Sequence, residues 1–478
     1  MESMKRIIKN QVSTLAFIYI VITAFTSCSK LIEVDAPVNI TTGSTVYNSD
    51  ATASAVLIGI YAQLSRGSFA AGQTSLSLYT GLSADELDLI TNTSNANYWL
   101  YYRNNLNTST VQFFWSELYA YIYKANDIIE GINASTSLSE HMRKQLIGEA
   151  KFIRAYCYFY LVNLYGDVPL VTNTNYKENS TPSREASVKV YALIISDLIA
   201  AKEALGGSYV GADGITETAE RTRPNKWVAS ALLSRVYLFN KDYANANTEA
   251  SAVIGNTSLY DIVSLNDVFL KNSKEAIWQL QPVAIGQNTL DGNMFILPES
   301  GPNPYFYSFY LSSFLLKNFE TADLRRKYWV DSVIVNSGTY FFPYKYKVNA
   351  YGGGVAEYQM VFRLSEQYLI RAEADAQLGD INGAKRDLDI IRRRAGLPNT
   401  TANNKEDLLL TIEHERQAEL FTESGHRWLD LKRTGRVNTV MGQVTPLKGG
   451  TWKSDWQFYP ISATELQRNK NLVQNKGY

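Results

Sequence analysis

Apolar residues recur every three or four positions along most of this chain, which is the period of an amphipathic helix. From Asp50 to Leu64 they fall at Ala53, Val56, Leu57, Ile60, Tyr61 and Leu64, with Asp50 placed to act as the N-cap. Phe113 to Ile132 and Ser139 to Leu164 read as two long helices of the same kind, the second stopped by Gly166-Asp167-Val168-Pro169. Ser187 to Leu205, Pro224 to Asn240, Tyr243 to Ile254, Leu364 to Leu378 and Ile381 to Arg394 extend the series. The pattern predicts a mainly α protein.

Two helix pairs resemble each other. Residues 235 to 246, RVYLFNKDYANA, align with residues 373 to 384, EADAQLGDINGA. In each a helix ends, an Asp opens a short turn, and a small Ala lets the next helix pack against the first. This is a degenerate tetratricopeptide pattern, in which each pair stacks on its neighbours to bury its apolar face. Any helical hairpin can show the same features, but two copies favour a right-handed scaffold of helix pairs over about 113–254 and 363–396. Elsewhere the helical period fails. Asn92 to Asn107, rich in Asn, Thr, Ser and Tyr, reads as a loop. Residues 256–361 read as an irregular insertion carrying Pro298, Pro302, Pro304, Gly352-Gly353-Gly354 and the aromatic run Tyr305 to Tyr310. Long irregular insertions in a rigid scaffold are where binding usually resides.

The N-terminus points to export. Lys5, Arg6 and Lys9 precede an apolar run from Val12 to Phe25, followed by the small residues Thr26 and Ser27 and then Cys28. That is the layout of a secretory signal, and the run is too short for a comfortable membrane span. Phe25-Thr26-Ser27-Cys28 resembles a bacterial lipobox, with Phe where Leu is usual. An ordinary signal peptide with an incidental Cys is the alternative. The expected organisation is a signal peptide over 1–27, a tether over 28–45 lipidated at Cys28, and a single domain over 46–478. No second apolar stretch is long enough to span a bilayer, so the protein is expected to be anchored to a membrane rather than to cross it. Cys157, the only other cysteine, lies in an apolar helix and is expected to be a small core residue with no disulfide.

Charge and motifs narrow the chemistry. Lys+Arg and Asp+Glu both number 46, so the chain carries no electrostatic footprint for nucleic acid. His414-Glu415 begins like a zinc-protease motif but lacks its second His, and Gly352-Gly353-Gly354 lacks the Lys and Ser/Thr of a phosphate loop. The carboxylates of Asp85, Glu86 and Asp88 show no spacing suited to glycoside hydrolysis. No enzyme, cofactor or metal site is expected. Tyr, at 32 residues, is the unusual component; its apolar face and polar tip suit half-wet recognition surfaces as well as helix packing.

Five segments in order then carry a family resemblance. They are residues 149–170 (EAKFIRAYCYFYLVNLYGDVPL), 363–374 (RLSEQYLIRAEA), 391–398 (IRRRAGLP), 415–421 with 425–433 (ERQAELF and GHRWLDLKR), and the ending at Tyr459-Pro460 and 474–478, with Glu465. Together they resemble the hallmark segments of SusD/RagB proteins. The resemblance implies a lipid-anchored protein on the extracellular side of a Bacteroidetes-type outer membrane. Such a protein forms a lid over a SusC-like, TonB-dependent β-barrel and delivers glycans, or in some members peptides, into it. The hallmark residues Arg154, Tyr156, Tyr165, Arg427, Trp428 and Asp430 read as scaffold packing and buried ion pairing rather than a ligand site.

The ligand site is therefore sought among loop aromatics, since a pyranose C–H face can lie on a Trp or Tyr ring while polar groups bond its hydroxyls. Asn97, Tyr98, Trp99, Tyr101 and Tyr102 form the first candidate cluster; an aromatic plug holding the loop to the scaffold is the alternative. Asn303, Tyr305, Tyr307 and Tyr310 form the second. The expected function is capture of oligosaccharides. The alternatives are peptide or glycopeptide capture on the same scaffold, a structural adaptor, or a hydrolase.

Overall fold

Ser49, not Asp50, opens the first helix: its hydroxyl accepts a hydrogen bond from Thr52 N at 3.3 Å, and Asp50 occupies the first turn of α1 (Asp50–Ser65). A neutral hydroxyl serves as the cap, and the Asp carboxylate one residue on still favours the positive end of the helix dipole. In the computed structural model the described residues are Met4, 46–109 and 113–478. The signal peptide, Cys28 and the tether expected from the sequence lie outside them, Met4 apart. The unit described below is Tyr47–Tyr478.

The helices expected from periodicity are present with small shifts at their ends: α4 (Phe113–Ala134), α5 (Glu140–Tyr165), α7 (Ser187–Ala204), α8 (Lys226–Phe239), α9 (Tyr243–Ile254), α13 (Leu364–Leu378) and α14 (Ile381–Arg394). Local chemistry sets their ends. Ser139 caps α5 on Met142 N, and Gly166, at φ +75°, ends it in a conformation that only glycine adopts without strain. Asn225 caps α8, and Gly379 closes α13 in the left-handed region at φ +90°. Cys157 is a free, fully buried thiol inside α5.

These helices stack in a fixed order: α4 on α5, α5 on α7, α7 on α8, α8 on α9, α9 on α13, and α13 on α14. The two segments aligned in the sequence are the α8–α9 and α13–α14 turns. Ala246 and Ala250 of α9 meet Ile370 and Ala374 of α13, with Leu238 of α8 completing that core. Small side chains allow this close approach. Residues 255–363 separate α9 from α13 along the chain, yet the two helices are direct neighbours in space. The intervening chain leaves the stack and returns to it, so the insertion is an excursion between successive helix pairs.

That excursion is more ordered than its composition suggests. It holds β2 (Ala276–Leu280), α10 (Leu290–Phe295), β3 (Phe309–Leu311), α11 (Ser313–Asn318), α12 (Leu324–Tyr328), β4 (Val330–Val335), β5 (Gly338–Pro343) and β6 (Gln359–Arg363). The strands form antiparallel pairs: β2 with β6, β4 with β5, and β3 with β1 (Leu87–Leu89), which follows α2 (Leu76–Ser83). Past α14 the chain adds α15 (Lys405–Leu420), α16 (His426–Arg433), α17 (Val437–Leu447) and α18 (Ala463–Arg468). The short α6 (Tyr176–Asn179) lies between α5 and α7.

Buried ion pairs tie the excursion to the scaffold. Arg363, at the end of β6, bonds Glu275, Glu419 and Glu423. Arg325 of α12 bonds Asp323, Glu415 at 2.5 Å and Glu419 at 3.1 Å. Arg394 of α14 bonds Glu275 and Glu419. Burial pushes the Glu419 carboxyl up, but Arg394, Arg363 and Arg325 outweigh it and hold the group well below its ordinary value.

Candidate functional site: an aromatic platform

The platform begins at a two-stranded sheet. β1 pairs with β3 so that Asp88 stands opposite Tyr310. Strand alternation buries Leu87 and Leu89, and Phe309 and Leu311, and turns Asp88 and Tyr310 to the half-exposed face. Beyond the sheet the two segments stay clipped together. Ile90 N donates to Ser308 O at 2.9 Å, Thr93 Oγ1 to Ser308 Oγ at 2.9 Å, and Ser94 N and Oγ both to Pro304 O at 2.8 Å. Asn95 then caps the next element by accepting from Asn97 N at 3.0 Å.

That element is a helix, α3 (Ala96–Tyr102), which corrects the expectation of a loop over Asn92 to Asn107. Its two faces divide the candidates. Tyr98 and Tyr101, three residues apart, are 2% and 1% exposed. Tyr98 packs against Tyr79 and Phe309, and Tyr101 against Tyr79 and Tyr459, with ring centroids 4.5–5.8 Å apart. These two rings form an aromatic plug, and no ligand reaches them in this conformation. Trp99 and Tyr102 share the other face and are half-buried, their rings 5.9 Å apart at 74°. Asn97 is also partly exposed.

Trp99 and Tyr102 join the second cluster through Asp88. Tyr102 OH donates to Asp88 Oδ1 at 3.0 Å, and Asp88 faces Tyr310, whose ring lies 5.2 Å from that of Tyr340 on β5. Burial, with Asp88 and Tyr340 adding to it, pushes the Tyr310 phenol up to about 12. Burial and then Asp88 raise Tyr102 as well, so both stay protonated donors. Tyr307 is half-buried against Phe306, 4.7 Å away, and Tyr305 is 80% exposed. Asn303 serves the loop itself: its side-chain oxygen accepts from Tyr305 N and Phe306 N, each at 3.0 Å. Through Asp88, Tyr102 of the first candidate cluster thus meets Tyr310 of the second, some two hundred positions away in the chain.

Three members of this face, and a buried lysine against it, escape a reading of the sequence. Asp88 stands out there only as a possible catalytic carboxylate, and its signal is the alternation Leu87-Asp88-Leu89. Tyr340 arrives through the contact of β5 with β3, which nothing in its neighbourhood announces. Arg103 lies with its guanidinium carbon 4.3 Å from the centroid of the Trp99 ring. Lys448 reaches the Tyr102 ring at 4.8 Å, while donating to Leu82 O and Ala84 O.

Chemically the face offers tilted rings, phenol hydroxyls, a carboxylate and a guanidinium. It can stack sugar rings and bond their hydroxyls. Its neighbouring carboxylates are committed, since Asp85 accepts from Arg427 at 2.8 and 2.7 Å. Burial, then Asp85, pushes the Glu86 carboxyl up to about 8. Among the described residues no group of three or more His, Cys, Asp or Glu is placed to hold a metal ion. The hallmark residues lie in the scaffold: Arg154 pairs with Asp197, Arg427 with Asp85, and Asp430 with Arg416 and Arg433, while Tyr156, Tyr165 and Trp428 are buried.

Comparison with known proteins gives a consistent picture. Residues 320–478 match the model described as "SusD family", and residues 41–238 the model described as "Starch-binding associating with outer membrane". SusD-like protein P25 of Formosa agariphila is 24% identical over 97% of this chain and 99% of its own. A SusD superfamily protein from Bacteroides vulgatus superposes with a TM-score of 0.76 at 18% identity, covering 91% of this chain and 100% of that one. Surface glycan-binding protein A from Bacteroides uniformis gives a TM-score of 0.75 at 20% identity, covering 89% and 99%.

Proposed function

The chain belongs to the SusD/RagB family, and from that premise we propose that it is a surface glycan-binding lipoprotein which captures oligosaccharides on the platform of Trp99, Tyr102, Tyr307 and Tyr310. The observation that carries the reading is the convergence of two distant aromatic segments on one open face, bridged by the Tyr102–Asp88 bond and the Asp88–Tyr310 register. An open face suits a polymer, which can lie across it without threading into a cavity. The names of the matched models and of the Bacteroides uniformis structure support glycans as the ligand class. Tyr305, exposed, and Asn97, partly exposed, lie on the same two segments and are further candidates.

Delivery follows from the anchor. A lipid on Cys28 would hold the protein at the outer membrane facing outward, and no described helix is long and apolar enough to cross a membrane. Transfer of the ligand across the bilayer then falls to a TonB-dependent, SusC-like barrel.

Calorimetry with oligosaccharide and peptide libraries tests the site. Trp99→Ala is expected to weaken oligosaccharide binding by about 1–3 kcal/mol, the scale of ring stacking. Binding of peptides alone, or unchanged affinity for the oligosaccharide, would overturn the reading.

A further inference from the structure

Arg103 differs from the arginines of the scaffold. Arg325, Arg363, Arg394, Arg427 and Arg433 all pair with carboxylates. Arg103 is exposed, and among the described residues no carboxylate lies within ion-pair distance of it. Its backbone is closely packed, and its side chain lies against a ring. The side chain lies over the Trp99 ring, and the Gly449-Gly450 turn packs so closely on its backbone that a Cβ at Gly450 would stand 2.3 Å from Arg103 O. A Cβ at Gly449 would lie 3.7 Å from Arg103 Nε, so glycine keeps that flank of the guanidinium free of side-chain atoms.

The acidic side chains on and beside β1 have other partners. Asp85 is engaged by Arg427, and Asp88 accepts from Tyr102 with the Lys448 ammonium against the same ring. Glu86, held up to about 8 by burial, is mainly uncharged at neutral pH. A ligand on Trp99 therefore meets a free planar set of N–H donors. A neutral sugar offers them only hydroxyls, whereas a planar or tripodal oxyanion can take two charge-assisted bonds.

We propose that this platform selects oligosaccharides bearing an anionic substituent, a carboxylate or a sulfate ester, and that Arg103 reads that group. The inference rests on the reading of this face as the ligand site.

The test uses the full-length chain in mild detergent and matched probes. These are oligogalacturonate beside its methyl ester, and carrageenan oligosaccharides beside their desulfated form. The charged member of at least one pair is expected to bind roughly tenfold more tightly than its neutral partner, and the pair that discriminates tells carboxylate from sulfate. Arg103→Gln should lose roughly 3- to 10-fold more on the charged probe than on the neutral one, and Arg103→Lys should restore part of that difference. Raising salt from ~0.05 to ~0.5 M should weaken the charged probe alone. Equal binding of charged and neutral forms, or an Arg103→Gln protein that binds like the parent, overturns the charge reading. If Trp99→Ala still abolishes binding in that case, the site reading survives. Binding of none of the probes overturns both.

Discussion

Tyr101 stands between Tyr79 and Tyr459, fully buried beneath the platform, while its neighbour Tyr102 reaches Asp88 on the surface. Tyr101→Ala should therefore cost about 3–5 kcal/mol of stability, the range for emptying a large aromatic site. Urea unfolding of this variant beside Trp99→Ala separates plug from platform: the first should unfold early, and the second should lose ligand with a much smaller change. Glu86 gives a pH test. Its carboxyl ordinarily titrates near 4.5, and burial followed by Asp85 raises it to about 8, against the opposing Thr422 N–H, Arg427 and Lys345. The folded state therefore holds the proton more tightly than the unfolded one. The stability this contributes is full below about 4.5, falls as pH rises, and is gone above about 8. Glu86→Gln, which cannot ionise, should gain stability relative to the parent as pH rises through that window. A difference in melting temperature that stays constant from about pH 5 to about pH 8.5, bounds set around the two pKa values, would contradict the burial argument.

Among the elements, the junction of β6 with α13 and α15 carries the most concentrated charge. Arg363 bonds Glu275, Glu419 and Glu423 with almost no exposure, so its removal strands carboxylates in a low-dielectric site. Arg363→Met should cost about 3–5 kcal/mol, read as a shifted urea midpoint. A loss below about 1 kcal/mol, typical of exposed pairs, would mean that water reaches the network. The helix pairs themselves rest on small residues at contact positions: Ala246, Ala250 and Ala374 let α9 and α13 meet directly. That contact returns the chain to the stack after its excursion, and the excursion carries β3, β5 and half of the platform.

At the scale of the whole molecule the proposed role depends on attachment outside the described residues. Cys28→Ala should move the protein from the membrane fraction to the soluble one, because acyl chains supply about 0.8 kcal/mol per buried methylene. A variant that stays fully membrane-bound after a high-salt wash would sink the lipid anchor or assign the binding to a partner. Pull-down of the lipidated parent in mild detergent should recover a large TonB-dependent barrel, and its absence would count against delivery.

Periodicity determined the scaffold from the sequence alone, because each long helix repeats its apolar stripe often enough to be read, as in α13 and α14, whose bounds the pattern predicts. The five hallmark segments carried the family for the same local reason. Short elements escaped: α3 has seven residues, so Tyr98 with Tyr101 and Trp99 with Tyr102 are single i, i+3 pairs, too few to establish a period. The Asn-rich flank that suggested a loop supplied instead the cap, Asn95. Which aromatic faces water was decided by tertiary contacts, through the rings of Tyr79, Phe309 and Tyr459. So was the meeting of the two candidate clusters, since antiparallel pairing of β1 with β3 joins residues more than two hundred positions apart, and no local pattern encodes such a partner.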